Sequence, residues 1–126
     1  MKETQAEERA GPQGDRASLR ILTAFIRLST QERVLQRLRD LGVSNIAVTY
    51  AKTYGEDKNF FANDPSGEQV RLDTVLSATR ADEIAGAIVA VARTGAPGDG
   101  IVIVQLAESL YLVRTGERTT TGAFHE

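Results

Sequence analysis

The chain contains no cysteine, which excludes disulfides, thiolate metal sites and cysteine nucleophiles. Histidine is nearly absent as well. His125 is the only one, lies one residue from the C-terminus, and reads as a tail residue rather than a catalyst. No apolar run approaches the roughly 20 residues that a bilayer-spanning helix requires. The opening Met1-Lys2-Glu3-Thr4-Gln5 is polar and lacks an apolar core, so no secretory signal is expected. Net charge is only −2, which implies neither nucleic acid nor anionic membrane as a partner. The 126 residues suit one domain, which at this size buries roughly two-thirds of its unfolded surface. A cytoplasmic protein is the expectation.

Residues 1–18 carry Gly11, Pro12, Gly14 and many charges, with almost no large apolar side chain. Such a segment cannot offset its ordering entropy by burial, and it reads as a disordered arm. Leu19 to Leu28 reads as a strand, with Leu22, Ala24, Ile26 and Leu28 on one face and Ile21, Thr23 and Phe25 on the other. Ser29 precedes Glu32 by three residues, a capping-box spacing. Val34, Leu35, Leu38 and Leu41 follow at helical intervals, and Gly42 closes the helix. The charges Arg33, Arg37 and Asp40 fall on its solvated side.

Asn45 to about Tyr54 reads as a second strand through Ile46, Val48 and Tyr50. Residues 55–68 are rich in Gly, Pro, Asn and Asp and read as a loop. Val70, Leu72, Thr74 and Leu76 alternate with polar residues and predict a third strand. Thr79 and Asp82 open a second helix, whose buried stripe is Ile84, Ile88 and Val91 and whose end is Gly95. Gly98-Asp99-Gly100 turns into a fourth strand, Ile101 to Val104. Leu110 to Arg114 adds a short fifth, with Tyr111 in the core, and residues after Gly116 are expected to fray.

The order β-α-β-β-α-β predicts an α+β, ferredoxin-like fold: a four-stranded antiparallel sheet with two helices on one face. The other face then carries Ile21, Phe25 and part of Ile101 to Val104. An apolar face of that size implies burial against further copies of the chain.

Chemistry concentrates in Thr94-Gly95-Ala96-Pro97-Gly98-Asp99-Gly100 and in Arg114-Thr115-Gly116-Glu117. Glycines in a helix-to-strand turn let backbone N–H groups approach an anion closely. A nearby arginine can grip phosphate through two parallel hydrogen bonds.

At these residues the chain resembles the PII signal-transduction family, which carries a Thr-x-x-x-Gly-Asp-Gly-Lys turn and an Arg-x-Arg-Thr-Gly-Glu end. Residues 19–54 and 70–95 align with the family without gaps. The resemblance implies a PII-like domain over 19–117, a flexible tail over 118–126, and a homotrimer with an adenine nucleotide in each cleft between subunits. By position, it implies that Gly98, Asp99 and Gly100 cradle phosphates and that Arg114 reaches them from the adjoining subunit. Thr53, Tyr54 and Gly55 stand at the loop base beside the nucleotide. Asp73 replaces a glutamate near adenine and ribose, and Val75 stands for an apolar residue against the base.

Departures reshape what the resemblance implies. The lysine after the second glycine is Ile101, and the first arginine of the pair is Leu112. Each charge-assisted hydrogen bond is worth about 1.5–3 kcal/mol, so triphosphate should bind much more weakly. ADP, AMP or cyclic AMP is favoured over ATP, with Lys52, Lys58 and Arg93 as candidate compensating cations. The loop is shorter than the family's T-loop and has no tyrosine between Gly55 and Val70. Asp57 and Gln69 replace the family's glutamine and the lysine that contacts 2-oxoglutarate. The pattern resembles PII-like offshoots associated with bicarbonate transporters or carboxysomes, with bicarbonate as a candidate second ligand. The expectation is a regulator whose loop, through Lys58, Phe60 and Phe61, engages a target protein. Two alternatives stand beside it: a structural trimer with a decayed nucleotide site, and a nitrogen-regulatory PII protein. No catalytic residue, resident cofactor or metal site is expected. Ferredoxin-like acylphosphatases and nucleoside diphosphate kinases need an arginine–asparagine pair in a phosphate loop or a nucleophilic histidine, which leaves weak nucleotide hydrolysis through a metal held by Glu56, Asp57 and Asp73 as the enzymatic alternative.

Overall fold

Alternation of apolar side chains sets the architecture of the computed structural model, which describes residues 18–53 and 68–120. The arm before Ser18, the loop residues Tyr54, Gly55, Glu56, Asp57, Lys58, Phe60 and Phe61, and His125 lie outside the described residues. Strand β1 (Leu19–Arg27) buries Leu22, Ala24 and Ile26 on one side and leaves Ile21, Thr23 and Phe25 half-buried on the other. Strand β2 is Ala47–Lys52 and β3 is Glu68–Ser77. Strand β4, Gly100–Ala107, completes an antiparallel sheet in the order β2-β3-β1-β4. Helices α1 (Gln31–Asp40) and α2 (Ala78–Ala92) cover one face. The fold is the α+β, ferredoxin-like one that the element order predicts.

The core lies between the helices and the two central strands. Val34 and Leu38 of α1 and Ile84 and Ile88 of α2 meet Leu22, Ile26, Val70, Leu72 and Leu76 of the sheet. Each fully buried aliphatic chain contributes about 1.5–3 kcal/mol, so these side chains carry most of the stabilisation. Across the open face, register partners form rows: Thr49–Arg71–Phe25–Ile101, Ala47–Asp73–Thr23–Ile103 and Val75–Ile21–Gln105. The Arg71 guanidinium lies 5.5 Å from the Phe25 ring centroid.

Helix and strand ends depart from the sequence reading. Leu28 leaves the strand for a 3-10 turn, Leu28–Thr30, and is 44% exposed. The capping box at Ser29 does not form. Thr30 stands at the N-cap without a side-chain cap, because its hydroxyl is buried and donates to the Arg27 carbonyl at 2.9 Å. Ser77, not Thr79, caps α2, accepting from the Arg80 N–H at 3.4 Å. Past α2 the chain runs through Arg93 and Thr94 to Gly95 at φ +88°.

Beyond β4, the pair β5 (Leu110–Tyr111) and β6 (Arg118–Thr119) forms its own two-stranded ribbon. Order therefore continues past Gly116. This ribbon forms a sheet separate from the four-stranded one; Tyr111, expected in the core, is 65% exposed. Among the described residues, no helix is long and apolar enough to cross a membrane.

Candidate functional site

The turn between α2 and β4 is built around one carboxylate. Asp99 accepts the backbone N–H groups of Thr94 (2.7 Å) and Gly95 (2.8 Å) and the Thr94 hydroxyl (2.5 Å). Arg27, at the end of β1, adds its Nε to the same carboxylate at 3.3 Å and donates Nη2 to the Pro97 carbonyl at 2.6 Å. The Thr94 hydroxyl bond is the largest influence on Asp99. With the two backbone donors and Arg27 it outweighs partial desolvation and holds the carboxyl well below the usual carboxylate range. Asp99 is thus spent on shaping the turn.

Gly100 is held by a different constraint. Its φ is +116°, and a Cβ there would sit 1.8 Å from the Phe25 carbonyl oxygen. No side chain fits between β4 and β1 at this point. Gly98, at φ +92°, is buried, and its carbonyl accepts the Gln69 amide nitrogen at 3.4 Å. Among the described residues that bond commits the Gln69 nitrogen and leaves its buried Oε1 without a donor, and the half-buried Thr53 hydroxyl likewise has no partner. Both residues lie at the loop-base end of the sheet, since Gln69 pairs with Ala51 and Arg27.

Asp73 and Val75 sit elsewhere. With Ile21, Asn45, Ala47, Thr74, Leu110 and Leu112 they line a cavity of about 440 Å³. Burial alone would raise the Asp73 carboxyl. Hydrogen bonds from Arg71 (2.8 Å) and the Thr23 hydroxyl (2.7 Å), with the arginine's charge, outweigh it and hold Asp73 below its usual value. Among the described residues, no three His, Asp or Glu side chains gather as a metal site. Arg114 is exposed at the tip of the β5–β6 hairpin, which is closed by Gly116 N–H to the Leu112 carbonyl at 2.7 Å.

Within one chain these two groups do not meet. The turn joins the sheet at the Ile26–Gly100 pair, whereas Val75 pairs with Ile21. Those rows lie five residues apart, about 17 Å at 3.4 Å per residue, and the Asp73–Thr23 row lies three residues away, about 10 Å. A second cleft of about 210 Å³ adjoins the turn on the helix side; its walls are mostly apolar (Ile88, Val89, Ile101, Val102), with Arg93 at its edge.

Sequence reasoning named the turn, Asp73 and Val75 as candidates but did not single out Arg27. It also missed Ile21, Asn45 and Ala47 as cavity walls. For Arg27 no local signal exists, because its partners lie 70 and 72 residues away.

The model of the family described as nitrogen regulatory protein P-II matches residues 19–117. The chain is 30% identical over 103 residues to the nitrogen regulatory protein P-II of Rhizobium meliloti, covering 76% of this chain and 92% of that protein. It is 26% identical over 106 residues to the nitrogen regulatory protein GlnK of Escherichia coli, covering 79% and 95%. The crystal structure of Arabidopsis thaliana PII bound to citrate is similar, with a TM-score of 0.67, 26% identity, and coverage of 82% of this chain and 90% of that one.

Proposed function

The chain belongs to the nitrogen regulatory protein P-II family, and we infer that it works as that family does, as a regulator rather than an enzyme and as a trimer that binds small effectors and acts on target proteins. From that premise we propose that it is a cytoplasmic regulator holding an adenine nucleotide with few phosphates, ADP, AMP or cyclic AMP, in clefts between three subunits. The observation that carries the preference is Leu112. It lines the cavity with Asp73 and Val75, so the wall where the family places a cation is apolar. Ile101, next to the turn, removes a second cation.

In this reading Asp73 and Val75 receive the nucleoside. Backbone N–H groups of Gly98, Asp99 and Gly100 from a neighbouring copy receive phosphate, with Arg114 completing the charge. Thr53, Tyr54 and Gly55 border the site at the loop base. The separation of the two halves within a chain, about 10–17 Å along the strands, supports assembly between copies. So does the half-exposed apolar face of Ile21, Phe25, Val75, Ile101 and Ile103. Ligand in the cleft shifts the 55–68 loop between states of different affinity for a target, which requires that the ligand itself prefer one loop state. Lys58, Phe60 and Phe61 make the target contact. The target class is a bicarbonate transporter or carboxysome-linked protein, with bicarbonate as second ligand.

The test is calorimetric titration with ATP, ADP, AMP and cyclic AMP, each with and without bicarbonate, on protein whose mass is set by sedimentation equilibrium. Micromolar binding, with ATP weaker than at least one of the others, is expected. A folded trimer giving no heat with any of them would leave a structural trimer with a decayed site.

A further inference from the structure

The turn lacks a lysine at Ile101, yet a cation is already docked on it. We propose that Arg27 is the phosphate-contacting cation of the Gly98–Gly100 turn, an assignment that rests on the nucleotide reading above. Its guanidinium is fixed by two contacts, Nη2 to the Pro97 carbonyl and Nε to Asp99. A guanidinium has five N–H donors in one plane. Those two bonds use two of them, and the remaining donors have no protein acceptor among the described residues.

Asp99 is satisfied by three shorter bonds from Thr94 and Gly95, and the 3.3 Å contact to Arg27 is the longest it makes. The arginine side chain is 30% exposed, so an anion resting on the turn's N–H groups can reach it. A planar fork anchored on one edge and open on the other suits a phosphate, which it grips through paired hydrogen bonds.

Neighbouring cations are less well placed. Lys52 is exposed at the end of β2, at the opposite edge of the sheet from β4. Arg93 lines the apolar cleft on the helix side. Beside Arg27, its register partner Gln69 keeps a buried acceptor without a donor, a place that a hydroxyl or water of a bound nucleotide would fill.

The experiment titrates the full-length chain and its Arg27→Gln and Arg27→Lys variants with ADP, using adenosine as the phosphate-free control and circular dichroism to confirm folding. One lost charge-assisted bond corresponds to an affinity drop on the order of 10- to 100-fold. Arg27→Gln should show that drop for ADP and none for adenosine. Arg27→Lys keeps the charge but cannot span Pro97 and Asp99 with one planar group, and should bind ADP within about tenfold of wild type. ADP affinity unchanged in Arg27→Gln would overturn the assignment and leave the nucleotide reading intact. Equal losses in the Gln and Lys variants would also overturn it, because the residue would then act only by holding the turn. No ADP binding by the wild-type chain would overturn this assignment, while the nucleotide reading would fall only if AMP and cyclic AMP also gave no heat.

Discussion

Replacing Gly100 with alanine separates what the turn does for the fold from what it does for a ligand. The new Cβ would lie 1.8 Å from the Phe25 carbonyl oxygen and 2.9 Å from its carbon. An ordinary carbon–oxygen approach is about 3.3–3.6 Å, so β4 must move from β1 by roughly 1.5 Å. That movement opens the ladder beside the Ile26–Gly100 pair. Positive φ adds backbone strain of about 1–3 kcal/mol, and overpacking adds about 1–3 kcal/mol. Together they remove about 2–6 kcal/mol from a stability that for a domain is about 5–15 kcal/mol. In urea, with a slope of about 1–3 kcal/mol/M, the midpoint should fall by roughly 2 M. Gly95→Ala is the control: φ is +88° but nothing lies within 4 Å of the added carbon, so only strain of about 1–2 kcal/mol remains. Both are measured by urea unfolding at one fixed protein concentration, since assembly would otherwise shift the midpoint. A Gly100→Ala midpoint equal to that of Gly95→Ala would refute the close approach between β4 and β1.

Two further tests concern charge. The Asp99 carboxyl is held below its ordinary value, so its contribution is fully present above a pH of about 4 and is lost as pH falls through the depressed value. Asp99→Asn turns an amide donor toward N–H and O–H donors and should cost about 1–2 kcal/mol near neutrality. The difference from wild type should shrink as urea midpoints are taken below pH 4; a constant difference would dissociate Asp99's charge from the turn. Leu112→Arg and Ile101→Lys restore the two cations that the chain lacks. Each should tighten ATP at least tenfold in calorimetry, with adenosine unchanged in Ile101→Lys, and no gain from either would mean that phosphate does not lie near these positions.

The sequence by itself determined the elements and their order, because periodic burial is written locally. Val70, Leu72, Thr74 and Leu76 are buried as their alternation requires, and Ile84 and Ile88 as their helical spacing requires. The glycine turn was legible in the same local way, whereas Asp73 and Val75 entered the candidate site only through the family resemblance. Packing over long separations was not legible. Ser29 has a capping-box spacing, yet a 3-10 turn and the buried Thr30 hydroxyl occupy the helix start. Tyr111 reads as core, but the ribbon that carries it forms a separate sheet. Arg27 joins Asp99 only because β1 and β4 are neighbours, and Gly100 is obligatory only because their backbones touch there. Tertiary structure decided these points because a hydrogen bond or close contact depends on register and strand order, which local periodicity does not encode.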